Sequence, residues 1–186
     1  MTEFTGIALL ATIILTVVVL AVAFTDLRER RIPNVIVFPA ALIGLALNAS
    51  RGWQGLWFGG KGLAIGFALL FIPHLFRAMG AGDVKFLAAV GAFVGSVDVF
   101  RVWLLALLVY PLLAFVFLVQ QKKVRLTLRR FAKLTCKLFS VFIPALRFYA
   151  VQLEANDDPN IPSARTPFGL SISIGTLLAL YTNLLR

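Results

Sequence analysis

Phe4–Thr25 reads FTGIALLATIILTVVVLAVAFT, 22 residues without a charge between Glu3 and Asp26. At about 1.5 Å of rise per residue, a helix of that length crosses the ~30 Å hydrocarbon core of a bilayer. The rest of the chain repeats the pattern. Ile32–Ser50 is an uncharged run of 19 residues, and Val102–Gln121 and Thr166–Leu185 are runs of 20. Gly62–Leu75 makes a third segment, begun as early as Trp57. Phe86–Val97 has only 12 uncharged residues before Asp98, so it spans only if it also takes in Gly80–Lys85. Six segments result. Ala21-Val22-Ala23 resembles a leader cleavage site, but no Lys or Arg precedes the run and its apolar stretch is too long. We therefore expect a retained helix.

Composition excludes the alternatives. The chain has 186 residues, 60% hydrophobic and 14% charged, against roughly 45–50% and about 25% in soluble domains. That much apolar surface does not fit inside one core of this size, and it excludes a disordered chain. A single cysteine, Cys136, excludes an internal disulfide or a tetra-Cys zinc module. The formal charge of +10 reads as membrane topology rather than as a nucleic-acid surface. We expect an all-α, polytopic membrane protein, one domain over residues 1–186, with a basic loop at about 121–166.

Orientation follows from where the basic residues fall. Arg28, Arg30 and Arg31 follow the first segment, and Arg77 and Lys85 follow the third. Nine more lie between Lys122 and Arg165, and only Arg51, Lys61, Arg101 and Arg186 lie on the other side. The three basic loops are expected in the cytoplasm and both termini outside. Within the long loop, Val124, Leu128, Phe131, Leu134, Leu138, Phe142 and Leu146 recur at helical spacing, opposite Arg125, Arg129, Lys133 and Lys137. This reads as an amphipathic helix on the cytoplasmic leaflet, or as a loop helix with a solvated polar face. Glu154–Pro162 is a polar turn.

Ionisable residues at a membrane are costly and so are candidates for function. Asp26 ends the first segment in TDLRERRIPN, and Asp83 opens the fourth in GAGDVK. Both fall at one depth on the cytoplasmic side. Two carboxylates about 3 Å apart share a proton, so one activates a water while the other polarises a carbonyl. Gly80 and Gly82 would let an extended backbone come close, and Pro33 would begin the second helix. Taken singly, Asp83 also reads as a helix cap, and Asp26 as part of a salt-bridge cluster with Arg28 and Arg30. Lys85 would pair with a carboxylate, bind charge on a substrate or extend to the interface. His74, the lone histidine, reads as a core or interfacial residue. With one His and one Cys, no metal or other cofactor is expected.

Together the two motifs resemble those of the type IV prepilin peptidases, a family of intramembrane aspartyl proteases. Ile32-Pro33-Asn34 follows Asp26 as it follows the family's first catalytic Asp, and Gly80–Lys85 matches its Gly-x-Gly-Asp-x-Lys. Pro167-Phe168-Gly169 is similar to the opening of its last helix. The resemblance implies a membrane aspartic endopeptidase in which Asp26 and Asp83 are catalytic, and in which Gly80, Gly82, Lys85, Ile32, Pro33 and Asn34 position the substrate. It implies cleavage of a basic leader from prepilins at the cytoplasmic face of the inner membrane, with prepilin and membrane lipid as partners and no nucleic acid. Longer members carry paired CxxC motifs and N-methylate the new terminus. This chain looks like the short form of tight-adherence (Flp-type) systems, to which we do not extend methyl transfer. The competing reading is a small ion- or proton-coupled transporter with the two Asp as ligands. Transport sites lie near the midplane, whereas both Asp are expected at one edge.

Overall fold

The structure is a computed structural model that describes residues 2–76, 79–120 and 168–184. Five helices follow in order: α1 (Thr2–Glu29), α2 (Asn34–Ala49), α3 (Trp53–Leu75), α4 (Ala81–Gln120) and α5 (Phe168–Leu184). Among the described residues there is no strand. Gly6–Glu29, Trp53–Leu75 and Ala81–Phe117 are long and apolar enough to cross a membrane. The apolar α2 and α5, with 16 and 17 residues, reach only about 24–26 Å, short of the ~30 Å core. The protein is an all-helical, multi-pass membrane protein. Helix length alone does not fix the count at six.

The fourth and fifth apolar runs both belong to α4, which begins at Ala81 and so takes in Asp83 and Lys85. It is broken at Gly95, where φ is 81° and ψ is −179°. Only glycine occupies that region without strain. The chain divides into two compact units, residues 1–112 with 167–186, and residues 113–166. Every contact described below lies in the first. The expected amphipathic helix over Val124–Arg147, Cys136 and the turn Glu154–Pro162 lie outside the described residues.

Junctions explain how the chain reverses at the expected cytoplasmic edge. Arg30 adopts a left-handed conformation, φ 53°, and its N–H donates to the Asp26 carbonyl at 3.0 Å. This bond closes the C-terminal turn of α1. Pro33 is extended (φ −73°, ψ 131°) and forms the N-cap of α2. It therefore stands one position before the first helical residue, a correction to the sequence reading. Its ring-fixed φ suits either position, and its carbonyl already accepts Ile36 N–H at 3.1 Å.

Small residues set the helix spacing. The buried residues of α3 are Gly55, Gly59, Gly62, Gly66 and Leu70, a stripe along one face. The Gly62 and Gly91 backbones meet so closely that a Cβ on either would overlap the other's carbonyl. Such close approach is how helices gain dispersion energy where lipid removes the hydrophobic drive. The break at Gly95 leaves carbonyls of the preceding turn short of helical donors. Asn48, only 4% exposed, covers them: its Nδ2 donates to Ala92 O at 2.8 Å and Phe93 O at 3.4 Å, and to Gly44 O at 3.1 Å. Thr16, Ser173 and Thr176 likewise donate to carbonyls four residues back, so these hydroxyls cost little in apolar surroundings. Leu9, Ile13, Val17, Leu20 and Phe24 point outward from α1, as a lipid-facing surface requires.

Candidate active site

Asp26 lies one turn before the end of α1 and is 4% exposed. Its Oδ2 accepts the N–H of Leu170 at 2.9 Å. Leu170 is the third residue of α5, so this N–H is among the four that a helix start leaves without an internal partner. The positive end of the α5 dipole thus faces the carboxylate. Gly169 lies against the same group, and a Cβ there would sit 2.9 Å from Asp26 Oδ2 and 2.6 Å from Ile32 Cδ1. Among the described residues Asp26 is in no ion pair, and the salt bridge found there is Asp98–Arg101. The salt-bridge reading of Asp26 is not realised.

Asp83 is the third residue of α4, and its Oδ2 reaches back to accept the Gly80 N–H at 3.1 Å. This is the acidic half of a capping box. The capping reading is therefore realised, and it holds the carboxylate at a second helix N-terminus. Gly80 carries no Cβ because one would stand 3.0 Å from Asp83 Oδ2, and Gly82 because one would stand 3.1 Å from Ile32 Cβ. Both glycines thus serve contacts within the protein.

Ile32 joins the two halves. It packs on Gly82, beside Asp83, and on Gly169, beside Asp26. The remaining motif residues gather at the same end. Lys85 Nζ donates to Asn34 Oδ1 at 3.3 Å and lies 5.0 Å above the Phe38 ring, so it links the Gly-x-Gly-Asp-x-Lys stretch to Ile-Pro-Asn, and among the described residues it pairs with no carboxylate. Pro33, half-buried, fixes the extended step between Ile32 and Asn34. His74, in the last turn of α3, is half-buried and hydrogen-bonds Met79 O at 3.0 Å. Among the described residues no three His, Cys, Asp or Glu side chains gather at one place.

Sequence reasoning missed three partners of this site: the α5 N–H on Asp26, Phe38 beneath Lys85, and the His74 contact. Pro167-Phe168-Gly169 signals the first, since glycine just inside a helix start marks a place where something comes close. Phe38 stands one turn after Asn34, on the same face of α2. For His74 the sequence carries no comparable signal.

Asp26 stands near the end of one helix and Asp83 at the start of another, away from the middle of either apolar span. Two carboxylates, each held by the N–H of a helix start and each near the end of an apolar helix, thus stand on either side of Ile32. Among curated proteins and among solved structures nothing matches the chain. The type IV leader peptidase family does, over residues 13–119, more than half of the chain and including Asp26, Ile32–Asn34 and Gly80–Lys85. The chain belongs to the type IV leader peptidase family.

Proposed function

We propose that the protein is an aspartic endopeptidase that removes the leader of a type IV prepilin, with Asp26 and Asp83 as its catalytic pair. The observation that carries this reading is the convergence of the two motifs through Ile32. Two carboxylates on different helices, separated by 57 positions in sequence, stand beside residues that pack on the same Ile32, with their Oδ2 atoms held by different backbone N–H groups.

One proton is shared by the pair. The ionised carboxylate takes a proton from a water, whose oxygen adds to the scissile carbonyl carbon. The protonated carboxyl donates a hydrogen bond to the carbonyl oxygen as negative charge develops there. The tetrahedral adduct then collapses, the C–N bond breaks, and the departing nitrogen takes up a proton from the dyad. No other side chain has to attack or leave. Asn34, Lys85 and the extended Ile32-Pro33 backbone line the approach and position the substrate. Purified protein in detergent, given a prepilin of a tight-adherence system, is expected to yield a shortened pilin and a free leader by mass spectrometry. An intact prepilin after prolonged incubation would count against the reading.

The site faces the cytoplasm in this proposal, and both termini face outward. The support is the concentration of 14 of the 18 basic residues in loops and helix ends on one side, an asymmetry that sets orientation. Cys136 is a natural reporter of the long basic loop. In intact cells a membrane-impermeant thiol reagent is expected to leave it unlabelled until the membrane is permeabilised. Labelling beforehand would invert the topology.

A further inference from the structure

We propose that His74 is a positioning residue for Asp83, acting through the single peptide group that joins Met79 to Gly80. This rests on the reading of Asp83 as half of the catalytic pair. His74 Nδ1 lies 3.0 Å from the Met79 carbonyl oxygen. The N–H of that same peptide belongs to Gly80, and it donates to Asp83 Oδ2 at 3.1 Å. One rigid, planar amide therefore carries both contacts, His74 on its oxygen and the carboxylate on its nitrogen.

A carbonyl oxygen only accepts, so Nδ1 carries the proton in this contact. Donation to the oxygen polarises the amide and strengthens the N–H as a donor, by roughly 10–30% per bond in a chain of this kind. The larger effect is on direction. The peptide ends at Gly80, whose main chain tolerates almost any φ, so turning the Met79–Gly80 amide over meets little steric resistance from that side. A flipped amide would aim its carbonyl oxygen at Asp83, setting an acceptor against a carboxylate. His74 holds the amide the right way round from the end of α3. The arrangement also explains a polar ring beside Pro73 and Leu75 in the otherwise apolar stretch Gly62–Leu75.

Three substitutions separate this role from packing. Asn carries an N–H donor at about the reach of Nδ1, Gln carries the same group one bond further out, and Leu carries none. His74→Asn is expected to keep most of the prepilin-cleaving activity. His74→Gln and His74→Leu are expected to lower kcat by roughly 10- to 100-fold, the scale set by a catalytic group displaced by about 1 Å, with KM little changed. A second readout does not depend on cleavage. With the purified protein labelled with 15N-glycine, the Gly80 amide proton resonance is expected to stay in place in His74→Asn and to move upfield in the other two.

Wild-type kcat in His74→Leu, or a Gly80 resonance that does not respond to it, would overturn the proposal. So would equal damage from Asn and Leu. The two readings fail differently. If Asp83→Asn still cleaves prepilin the catalytic reading fails, while the Gly80 resonance continues to decide whether His74 governs the amide.

Discussion

Replacing either Asp26 or Asp83 with Asn should abolish prepilin cleavage, with a loss on the order of 10³-fold or more, and leave the protein folded in the membrane. Asn is nearly isosteric with Asp. At Asp26 its carbonyl oxygen still accepts the Leu170 N–H now bound at 2.9 Å, and at Asp83 it still accepts the Gly80 N–H at 3.1 Å. The helix-end contacts therefore survive, and only the exchangeable proton and the charge are removed. The double variant should be no worse than either single one, because groups that act as a unit lose their contribution once. Two independent ion ligands, as in a transporter, would instead lose function in graded steps. Purified wild type, both single variants and the double variant, compared on one prepilin in detergent, decide the matter. Substantial cleavage by either single variant would return Asp83 to a capping role and Asp26 to a buried helix-end acceptor.

Such a pair is tolerable in this setting because of where its electrostatic support comes from. A lone carboxylate at a membrane is expensive, and no basic side chain neutralises Asp26 among the described residues. Two helix N-termini do so instead, α5 at Asp26 and α4 at Asp83. Each supplies N–H groups that would otherwise be unsatisfied in an apolar environment. Two costs offset one another there. Salt-bridging lysines would bring long mobile side chains beside the carboxylates, and backbone donors do not.

How much of this was legible depends on the range of the interaction. Hydrophobic runs report local physics, so the span around Phe4–Thr25 and the shorter apolar helix within Ile32–Ser50 were readable from the absence of charge alone. The fourth run looked too short because Asp83 and Lys85 interrupt it, yet α4 carries both, one reaching back to its own N-terminus and the other across to Asn34. The break at Gly95 was not legible. A glycine among Phe93, Val94 and Ser96 has no distinctive pattern, and the residue that makes the break tolerable, Asn48, is 45 positions from Phe93. The two carboxylates announced themselves by residue type and motif. What positions Asp26 did not, because the N–H that holds it lies 144 positions away on α5, beyond residue 119 where the family match ends. Backbone donors leave no trace in residue identity. Only the glycine beside them does.

That glycine gives the other large expected effect. Gly169→Ala should lower the rate of prepilin cleavage by about 100-fold while leaving thermal stability in detergent within a few degrees of wild type. Alanine is favoured over glycine in a helix by roughly 1 kcal/mol, and this gain offsets part of the local crowding. The added methyl, however, would sit 2.9 Å from Asp26 Oδ2 and 2.6 Å from Ile32 Cδ1. The isoleucine methyl is the end of a flexible side chain and can rotate away. The carboxylate oxygen is held by Leu170 N–H in the same helix turn, so it shifts with or against the backbone that carries the new methyl. A displacement of about 1 Å in a catalytic group costs on the order of 10²-fold. Stability and activity thus move independently, which a general packing defect does not produce. The measurement is kcat on purified protein beside a thermal melt of the same sample. Wild-type kcat in Gly169→Ala would mean that Asp26 tolerates displacement, and that α5 supports the fold without setting the geometry of the pair.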